Sequence, residues 1–252
     1  SDLICKGVKP KYYFISGSGN NKSFTKKNIG IISKSLKKEQ KKYSISLCGG
    51  DTTFSNKLSF TIISVGFSNK IVFRNRAKIN DDIYVTGDLG DSFIGLKILQ
   101  KKIRLNRSLT KYFKNRYYLP NLHLSLTKKL LSFANTSIDV SDGLVADLEK
   151  LINNQKLSYK LFIGNIPISK NLNKLINLKI FKKINSVSCG DDYQILFTAS
   201  PTKSRIISKT SKSLGIKISK IGKICNNSDK SLIIDEKNKK IDLKYKGYFH
   251  KF

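Results

Sequence analysis

The sequence predicts a mixed fold of helices and strands, of the α/β or α+β class, in two domains. Apolar runs of strand length, such as 58–67 (LSFTIISVGF), alternate with amphipathic segments such as 92–102, which have one apolar face. The 252 residues suffice for one large domain or two small ones. A polar stretch near 77–81 separates two predicted strands, so we place the domains at 1–78 and 79–252.

The predicted elements of the first half meet at two glycine-rich turns. Residues 44–48 (SISLC) form a strand that ends at 49–53 (GGDTT). A strand at 82–86 is turned by 87–92 (GDLGDS) into the helix 92–102. In both turns a carboxylate stands beside glycine, directly after a strand.

The second half alternates helices and strands in the same way. Helices are predicted at 122–134, from Gly143 to about 153, at 170–183 and at 202–214. Strands are predicted at 136–140, 159–163, 194–198, 216–224 and 230–235, followed by a hairpin turn at 236–240. Two more strand ends carry acidic turns, one with Asp139 and Asp142 and the other with Asp191 and Asp192.

The net charge of +31 suggests nucleic acid or an anionic membrane surface as a partner. The positive residues are almost all lysines and are spread evenly along the chain, which favours a solvated lysine-rich surface instead. A basic nucleic-acid-binding protein that kept the fold without catalysis stays open as the alternative.

The chain shows no sign of a membrane or secretory protein. No apolar run reaches the roughly 20 residues that span a bilayer, and the first residues lack the layout of a signal peptide. The four cysteines are scattered, with no C-x-x-C pair, so we expect reduced thiols in a cytoplasmic protein without a zinc site.

The acidic residues are the informative charges, because there are only 17 of them and several cluster in short turns beside Gly, Ser or Thr. Those in turns are Asp51, Asp88, Asp91, Asp139, Asp142, Asp191 and Asp192. Carboxylates in such turns hold Mg²⁺, and glycine lets the backbone approach phosphate. The pattern predicts a site for a metal and a nucleotide.

Several residues have simpler explanations. The segment 17–23 lacks the glycine before lysine of a Walker A loop, so it is predicted to be a polar loop. Asp88 and Asp91 suit a turn and a helix N-cap. We expect His123 at the surface or in a cap. We also expect Asp147 and Glu149 to face solvent, and His250 to pack the C-terminal tail.

Motifs spread over the whole chain resemble those of thiamine-monophosphate kinases, in the same order and spacing. The similar segments are 1–10 ("LSDLAAMGAKP"), 49–53 ("GGDTT"), Arg74 with 77–78 ("RSGAKPGD"), 84–92 ("VTGTLGDS"), 137–148 ("IDISDGLLADL"), 190–198 ("GGEDYELLFT") and 247–252 ("GYDHF"). The wider superfamily includes aminoimidazole ribonucleotide synthetase, selenophosphate synthetase and a hydrogenase maturation protein. Another ATP-using member of that superfamily is the second alternative.

The resemblance implies a two-domain aminoimidazole ribonucleotide synthetase-like fold with an incomplete first domain and an active site in a cleft between the domains. It implies ATP-dependent phosphorylation of thiamine phosphate to thiamine diphosphate, with Mg²⁺, in a homodimer joined through the N-terminal domains. The implied Mg²⁺ ligands are Asp2, Asp51, Asp139 and Asp142. The implied ATP contacts are Gly50, Asp51, Arg74 and Ser141, and the implied thiamine phosphate contacts are Asp191 and Tyr248.

The chain departs from the family pattern at a few positions. Phe54 stands where the motif has Arg, His123 replaces the Arg of "PEPR", and Ser33 lies where an ATP-contacting Tyr is expected. Asp191 replaces Glu. The family's N-terminal segment, with its "DDAA"-type metal loop, precedes the position of Ser1, so we expect the 252-residue chain to be a poor kinase.

Overall fold

The computed structural model describes residues 1–228 and 230–248 and confirms the mixed α/β class. The chain forms two compact units. The small unit is 8–70, and the large unit combines 1–7 with the chain from residue 71 onward. The predicted domain boundary between 78 and 79 stays a prediction.

Strands and helices follow one another along both units. In the described residues the strands are β1 (Pro10–Gly19), β2 (Ser46–Phe54), β3 (Ser59–Gly66), β4 (Asp82–Thr86), β5 (Thr136–Asp139), β6 (Leu157–Phe162), β7 (Ile195–Ala199), β8 (Ile218–Asn226), β9 (Leu232–Ile234) and β10 (Lys240–Ile241). The α-helices described are α1 (Asp2–Cys5), α2 (Lys26–Tyr43), α3 (Asp91–Leu99), α4 (Arg107–Tyr118), α5 (Thr127–Leu130), α6 (Leu144–Leu151), α7 (Lys170–Asn177) and α8 (Ser204–Leu214). None of the described helices is long and apolar enough to cross a membrane.

The small unit places β1 between β2, which is parallel to it, and β3, which is antiparallel. The glycine-rich segment 49–53 was predicted as a turn after a strand, and that prediction is wrong. It lies within β2, because its backbone continues the pairing with β1 as far as Phe54. A Cβ on Gly50 would come 1.7 Å from the carbonyl oxygen of Ile15, so only glycine fits there.

The predicted polar loop 17–23 is also partly strand. Its first residues, up to Gly19, form the end of β1 and pair with β3. The remaining residues turn the chain toward α2, where Asn20 accepts hydrogen bonds from the backbone N–H groups of Lys22 and Ser23 at 3.1 Å. The Thr25 side chain then caps α2 by accepting from the N–H of Asn28.

The large unit is built on one mixed sheet, whose strand order over the described residues is β10-β9-β6-β8-β4-β7-β5. Every residue of β4, β5 and β7 is buried. Because β7 runs antiparallel to both β4 and β5, the start of β7 lies at the same edge as their ends. The turns that follow β4 and β5 and the turn that precedes β7 therefore meet at this edge.

Most predicted elements of the large unit are present, with shorter helices than expected. The helix predicted at 92–102 ends at Leu99, and the one predicted at 170–183 ends at Asn177. Lys101 and Lys179 follow these ends with φ of 59° and 58°, a left-handed conformation that stops a helix. The helix predicted at 122–134 is a 3-10 turn followed by the single turn of α5.

Candidate active site

A cleft of about 770 Å³ opens at the edge of the large unit's sheet where the turns after β4 and β5 meet the turn before β7. One wall is formed by the turns after β5 and before β7 and by the segment around Gly247. The other wall is α3, through Phe93, Leu96, Lys97 and Gln100. The lining includes four residues named above as site residues, which are Ser141, Asp142, Asp191 and Tyr248.

The turn 141–143 is held by a carboxylate from the helix that follows it. Oδ2 of Asp147 accepts hydrogen bonds from the backbone N–H groups of Ser141 and Asp142 at 2.9 Å and of Gly143 at 3.2 Å. Asp147 is 1% exposed, so the prediction that it faces solvent is wrong. The surrounding residues of α6 are buried on all sides, and the turn supplies the donors that a buried carboxylate needs.

Asp142 carries a positively charged partner. The Lys150 ammonium donates to Oδ2 of Asp142 and also to Oδ1 of Asp147 at 3.1 Å. Burial acts to lower the pKa of Lys150, but the bonds to the two carboxylates outweigh it and raise that pKa. Lys150 therefore stays charged beside Asp142. Unlike Asp142, Lys150 was not predicted from the sequence to belong to the site.

The turn 190–193 packs tightly against the first turn. The N–H of Asp191 donates to the carbonyl of Ser141 at 2.9 Å, and the N–H of Tyr193 donates to that of Val140 at 2.8 Å. A Cβ on Gly190 would lie 2.1 Å from the Ser141 carbonyl oxygen. Asp191 and Tyr193 adopt φ of 65° and 51°, which is strained for residues with side chains.

Asp191 faces the cleft with an environment unfavourable to its negative charge. Burial is the main cause that raises the pKa of Asp191, the hydrogen bond from Tyr193 opposes it, and the charge of Asp142 adds to it. A cationic group of a ligand would relieve this repulsion. Such an arrangement suits a positively charged molecule.

The segment 246–248 completes the first wall. The N–H of Tyr248 donates to the carbonyl of Asp142 at 2.9 Å, and the N–H of Ala146 donates to the carbonyl of Lys246 at 3.1 Å. The Tyr248 ring is 64% exposed at the cleft, where a ligand can reach it. The prediction for His250 falls outside the described residues.

A second group of charges surrounds Asp139, the last residue of β5. Asp139 is buried, and burial first and the nearby charge of Asp2 next raise its pKa, while a hydrogen bond from Ser1 lowers it. Burial is also the main cause that lowers the pKa of Lys6. The charge of Arg74 lowers this pKa further, while the charges of Asp139 and Asp2 raise it. Asp2, Arg74 and Asp139 thus share one environment, with Lys6 as a further cation that was not predicted.

Gly50 and Asp51 belong to the small unit. Asp51 is exposed, and its carboxylate accepts a hydrogen bond from the N–H of Thr52 at 2.7 Å. Asp51, Thr52 and Ser33 line a groove of about 410 Å³ between the sheet and α2. The side chain of Asp51 is therefore available to a ligand.

The acidic residues suit Mg²⁺ in the type of donor they offer. Carboxylate oxygens are hard ligands, and the buried Asp139 beside Asp2 is a like-charge arrangement that a cation would relieve. Within residues 1–228 and 230–248, no three His, Cys, Asp or Glu residues come close enough together to hold a metal ion. The residues thus fit the metal in chemistry, without forming a complete set of ligands.

His123, Asp88 and Asp91 have structural roles on the far side of the turn before β7. His123 is half-buried at the start of a 3-10 turn, and its Nε2 lies 2.8 Å from Oε1 of Gln194. Asp88 pairs with Lys217, as suits a turn residue. Gly90, not Asp91, is the N-cap of α3, and the Asp91 carboxylate accepts from other side chains instead.

The chain is similar to curated thiamine-monophosphate kinases. No family model matches the chain. The thiamine-monophosphate kinase of Buchnera aphidicola subsp. Schizaphis graminum is 35% identical over 260 residues, covering 99% of this chain and 77% of that protein.

Among solved structures, one described as AaThiL complexed with AMPPCP and TMP superposes with a TM-score of 0.83 at 23% identity, over 98% of this chain and 76% of that one. Escherichia coli HypE, a hydrogenase maturation protein, superposes with a TM-score of 0.77 at 14% identity, over 96% and 75% of the two chains. Both share the aminoimidazole ribonucleotide synthetase-like fold predicted from the motifs. By its sequence identity to the curated relative, the chain belongs to the thiamine-monophosphate kinase family.

Proposed function

We propose that this chain transfers the terminal phosphoryl group of ATP to thiamine phosphate, which gives thiamine diphosphate. The observation that carries the proposal is the single cleft that brings Ser141, Asp142, Asp191 and Tyr248 together in a member of this family. A solved structure with the same fold is described as a complex with AMPPCP and TMP.

Asp191 and Tyr248 are proposed to bind thiamine phosphate. The thiazolium ring carries a positive charge that the Asp191 carboxylate can face, and the exposed ring of Tyr248 can stack on an aromatic cation. The hydrogen bond from the Asp191 N–H to the Ser141 carbonyl holds the strained backbone of Asp191, so that this residue is in place at the cleft before the substrate arrives. Positioning of this kind contributes to catalysis because phosphoryl transfer depends on alignment and charge neutralisation.

Ser141, Gly50, Asp51 and Arg74 are proposed to contact ATP. The Arg74 guanidinium is exposed and can grip two phosphate oxygens at once. Gly50 permits the close approach of β2 to the β1 backbone at Ile15, which places Asp51 next along the strand. Ser141 lines the cleft as the first residue of the turn that Asp147 holds in place.

Asp2, Asp51, Asp139 and Asp142 are the residues proposed to hold Mg²⁺, which when bound would neutralise the charge of the triphosphate. Nucleotide binding should then depend on the metal. Calorimetric titration of ATP with Mg²⁺ and with EDTA tests this, and equal affinity in both would rule the metal role out.

The protein is further proposed to be a cytoplasmic homodimer joined through the domain that contains the small unit. Large apolar side chains of that unit are exposed, among them Phe54 at 77% and Phe67 at 70%. The four cysteines have no disulfide partners, as in a reducing compartment. Sedimentation velocity would contradict the dimer if the protein were monomeric at micromolar concentration.

The deciding experiment is a chromatographic assay for thiamine diphosphate with ATP and thiamine phosphate as substrates. Formation of thiamine diphosphate is expected, and no product above the level without protein would overturn the proposal. A mobility-shift assay over a salt series tests the nucleic-acid alternative, which requires tight binding that weakens steeply as salt rises.

A further inference from the structure

The two walls of the cleft come from segments about 100 residues apart in the chain. The turn 190–193 brings Asp191 to one wall, while α3 forms the other through Phe93, Leu96 and Lys97. The width of the cleft therefore depends on what holds α3 against this turn.

Asp192 makes that connection. Its side chain points away from the cleft, is 4% exposed, and accepts hydrogen bonds from the backbone N–H of Gly90 at 2.6 Å and of Ser92 at 3.2 Å. These are donors at the start of α3, where a negative charge is favoured by the helix dipole. We call this set of two hydrogen bonds the Asp192 clamp.

Within the part of the chain that the structure describes, no side chain nearer in sequence caps the first turn of α3 in this way. The N-cap position is Gly90, with φ of 90°, and it has no side chain to accept from the helix. The Asp91 carboxylate is occupied by the hydroxyl groups of Tyr112 and Ser169, each at 2.7 Å. Asp192 thus supplies from a distant turn the cap that the helix lacks.

The clamp also bears on Asp191. Hydrogen bonds fix the backbone on both sides of Asp192, from the N–H of Asp191 to Ser141 and from the N–H of Tyr193 to Val140. With φ of 65°, Asp191 needs such surroundings to keep its strained conformation. Asp192 thus lies in a turn whose backbone is fixed on both sides, and its side chain joins that turn to the opposite wall of the cleft.

We infer that Asp192 is a positioning residue that sets the shape of the thiamine phosphate subsite by fixing α3 against the turn that carries Asp191. This inference rests on the proposed function. Asp192 does not touch the substrate, and the residues proposed to contact ATP do not lie on α3. Loss of the clamp should therefore affect thiamine phosphate and ATP differently.

Asp192→Asn keeps the size of the side chain but turns one acceptor oxygen into an amide that cannot accept. We expect the KM for thiamine phosphate to rise about tenfold, while kcat and the KM for ATP stay within about twofold. Asp88→Asn is the matched control, because Asp88 lies in the same turn as Gly90, before α3, but its carboxylate accepts from Lys217. An equal rise in both KM values, or none, would overturn the inference.

Hydrogen exchange gives a readout that needs no substrate. In Asp192→Asn the amide of Gly90 or of Ser92, whichever loses its acceptor, should exchange at least about tenfold faster, and in Asp88→Asn neither should. Unchanged exchange in Asp192→Asn would overturn the clamp even if the kinetics changed. If the unmodified protein makes no thiamine diphosphate, the proposed function fails, and the exchange data still decide whether the clamp exists.

A second variant covers the case in which Asp192→Asn does not fold. Asp192→Glu keeps the charge and lengthens the side chain by one methylene, so it should displace α3 without leaving the amides unbonded. We expect a smaller rise in the KM for thiamine phosphate, of about threefold, with an unchanged KM for ATP. Kinetics identical to those of the unmodified protein would contradict the positioning role.

Discussion

The Lys150 ammonium donates a hydrogen bond to the carboxylate of Asp142, the residue proposed to bind metal at the strand-to-helix turn. Lys150 also donates to Asp147, the residue that holds that turn, so one lysine bonds the carboxylates of both Asp142 and Asp147. The Lys150 ammonium thus lies beside the carboxylate that is proposed to bind Mg²⁺. Lys150 and the metal should compete for Asp142.

Replacing Lys150 by methionine should strengthen metal binding. Lys150→Met removes the competing charge while keeping a side chain of similar length, and we expect Mg²⁺ to bind about three- to tenfold more tightly in the presence of an ATP analogue. The Mg²⁺ titration is followed by calorimetry. Lys156→Met, at an exposed position beyond α6, serves as the control for net charge. Weaker nucleotide binding at saturating Mg²⁺ would show instead that Lys150 contacts phosphate.

Replacing Asp142 should impair catalysis far more than stability. Asp142→Asn loses a proposed metal ligand close to the transferring phosphate, and turnover should fall at least about tenfold. Its ion pair with Lys150 is partly exposed, so the free energy of unfolding should change by less than about 1 kcal/mol. Thermal denaturation alongside the kinetic assay separates these effects. Turnover equal to that of the unmodified protein would remove Asp142 from the list of ligands.

Asp147 should matter for both stability and turnover. Asp147→Ala leaves three backbone N–H groups of the turn 141–143 without their acceptor, and we expect the free energy of unfolding to fall by about 3 kcal/mol. Turnover should also fall, because Ser141 and Asp142 lose their fixed positions. Denaturant unfolding measures the first effect.

Glu149→Gln is the control for that experiment. Glu149 lies on the same helix, is partly exposed, and accepts from Tyr159 and Lys246, so its substitution should cost less than about 1 kcal/mol. If Asp147→Ala is no less stable than Glu149→Gln, the turn does not depend on Asp147.

The sequence predicted the turns of the cleft well because their chemistry is local. Gly143, Gly190 and the acidic residues beside them follow or precede strands that are recognisable from short apolar runs. The burial of Asp147 was missed, although a signal exists. Leu144, Val145, Ala146 and Leu148 surround it with apolar residues, so α6 has no polar face at that point.

Other features could not be predicted from local sequence. The segment 49–53 is strand only because β1 pairs with it, and that partner lies some 35 residues earlier in the chain. The Asp192 clamp likewise joins residues far apart in sequence. Helix α2 was not predicted, although the spacing of Ile29, Ile32 and Leu36 carries a helical signal among its many lysines.

The last prediction concerns pH and Asp192. Burial, as the main cause, raises the pKa of Asp192 from 3.8 to about 7, although the hydrogen bonds from Gly90 and Ser92 oppose it and the charge of Asp91 adds to it. The folded protein therefore binds a proton at Asp192 more tightly than the unfolded chain does. The stabilising contribution of this proton is complete below about pH 4 and is lost as pH rises to about 7. Asp192→Asn lacks a titrating group, so the free energy of unfolding of the unmodified protein, relative to this variant, should fall between pH 4.5 and pH 7.5. Denaturant unfolding at these two pH values measures the difference, and carboxylates that do not interact with Asp192 contribute to both proteins alike. A difference that stays constant, or that grows with pH, would show that Asp192 is ionised in the folded protein throughout this range.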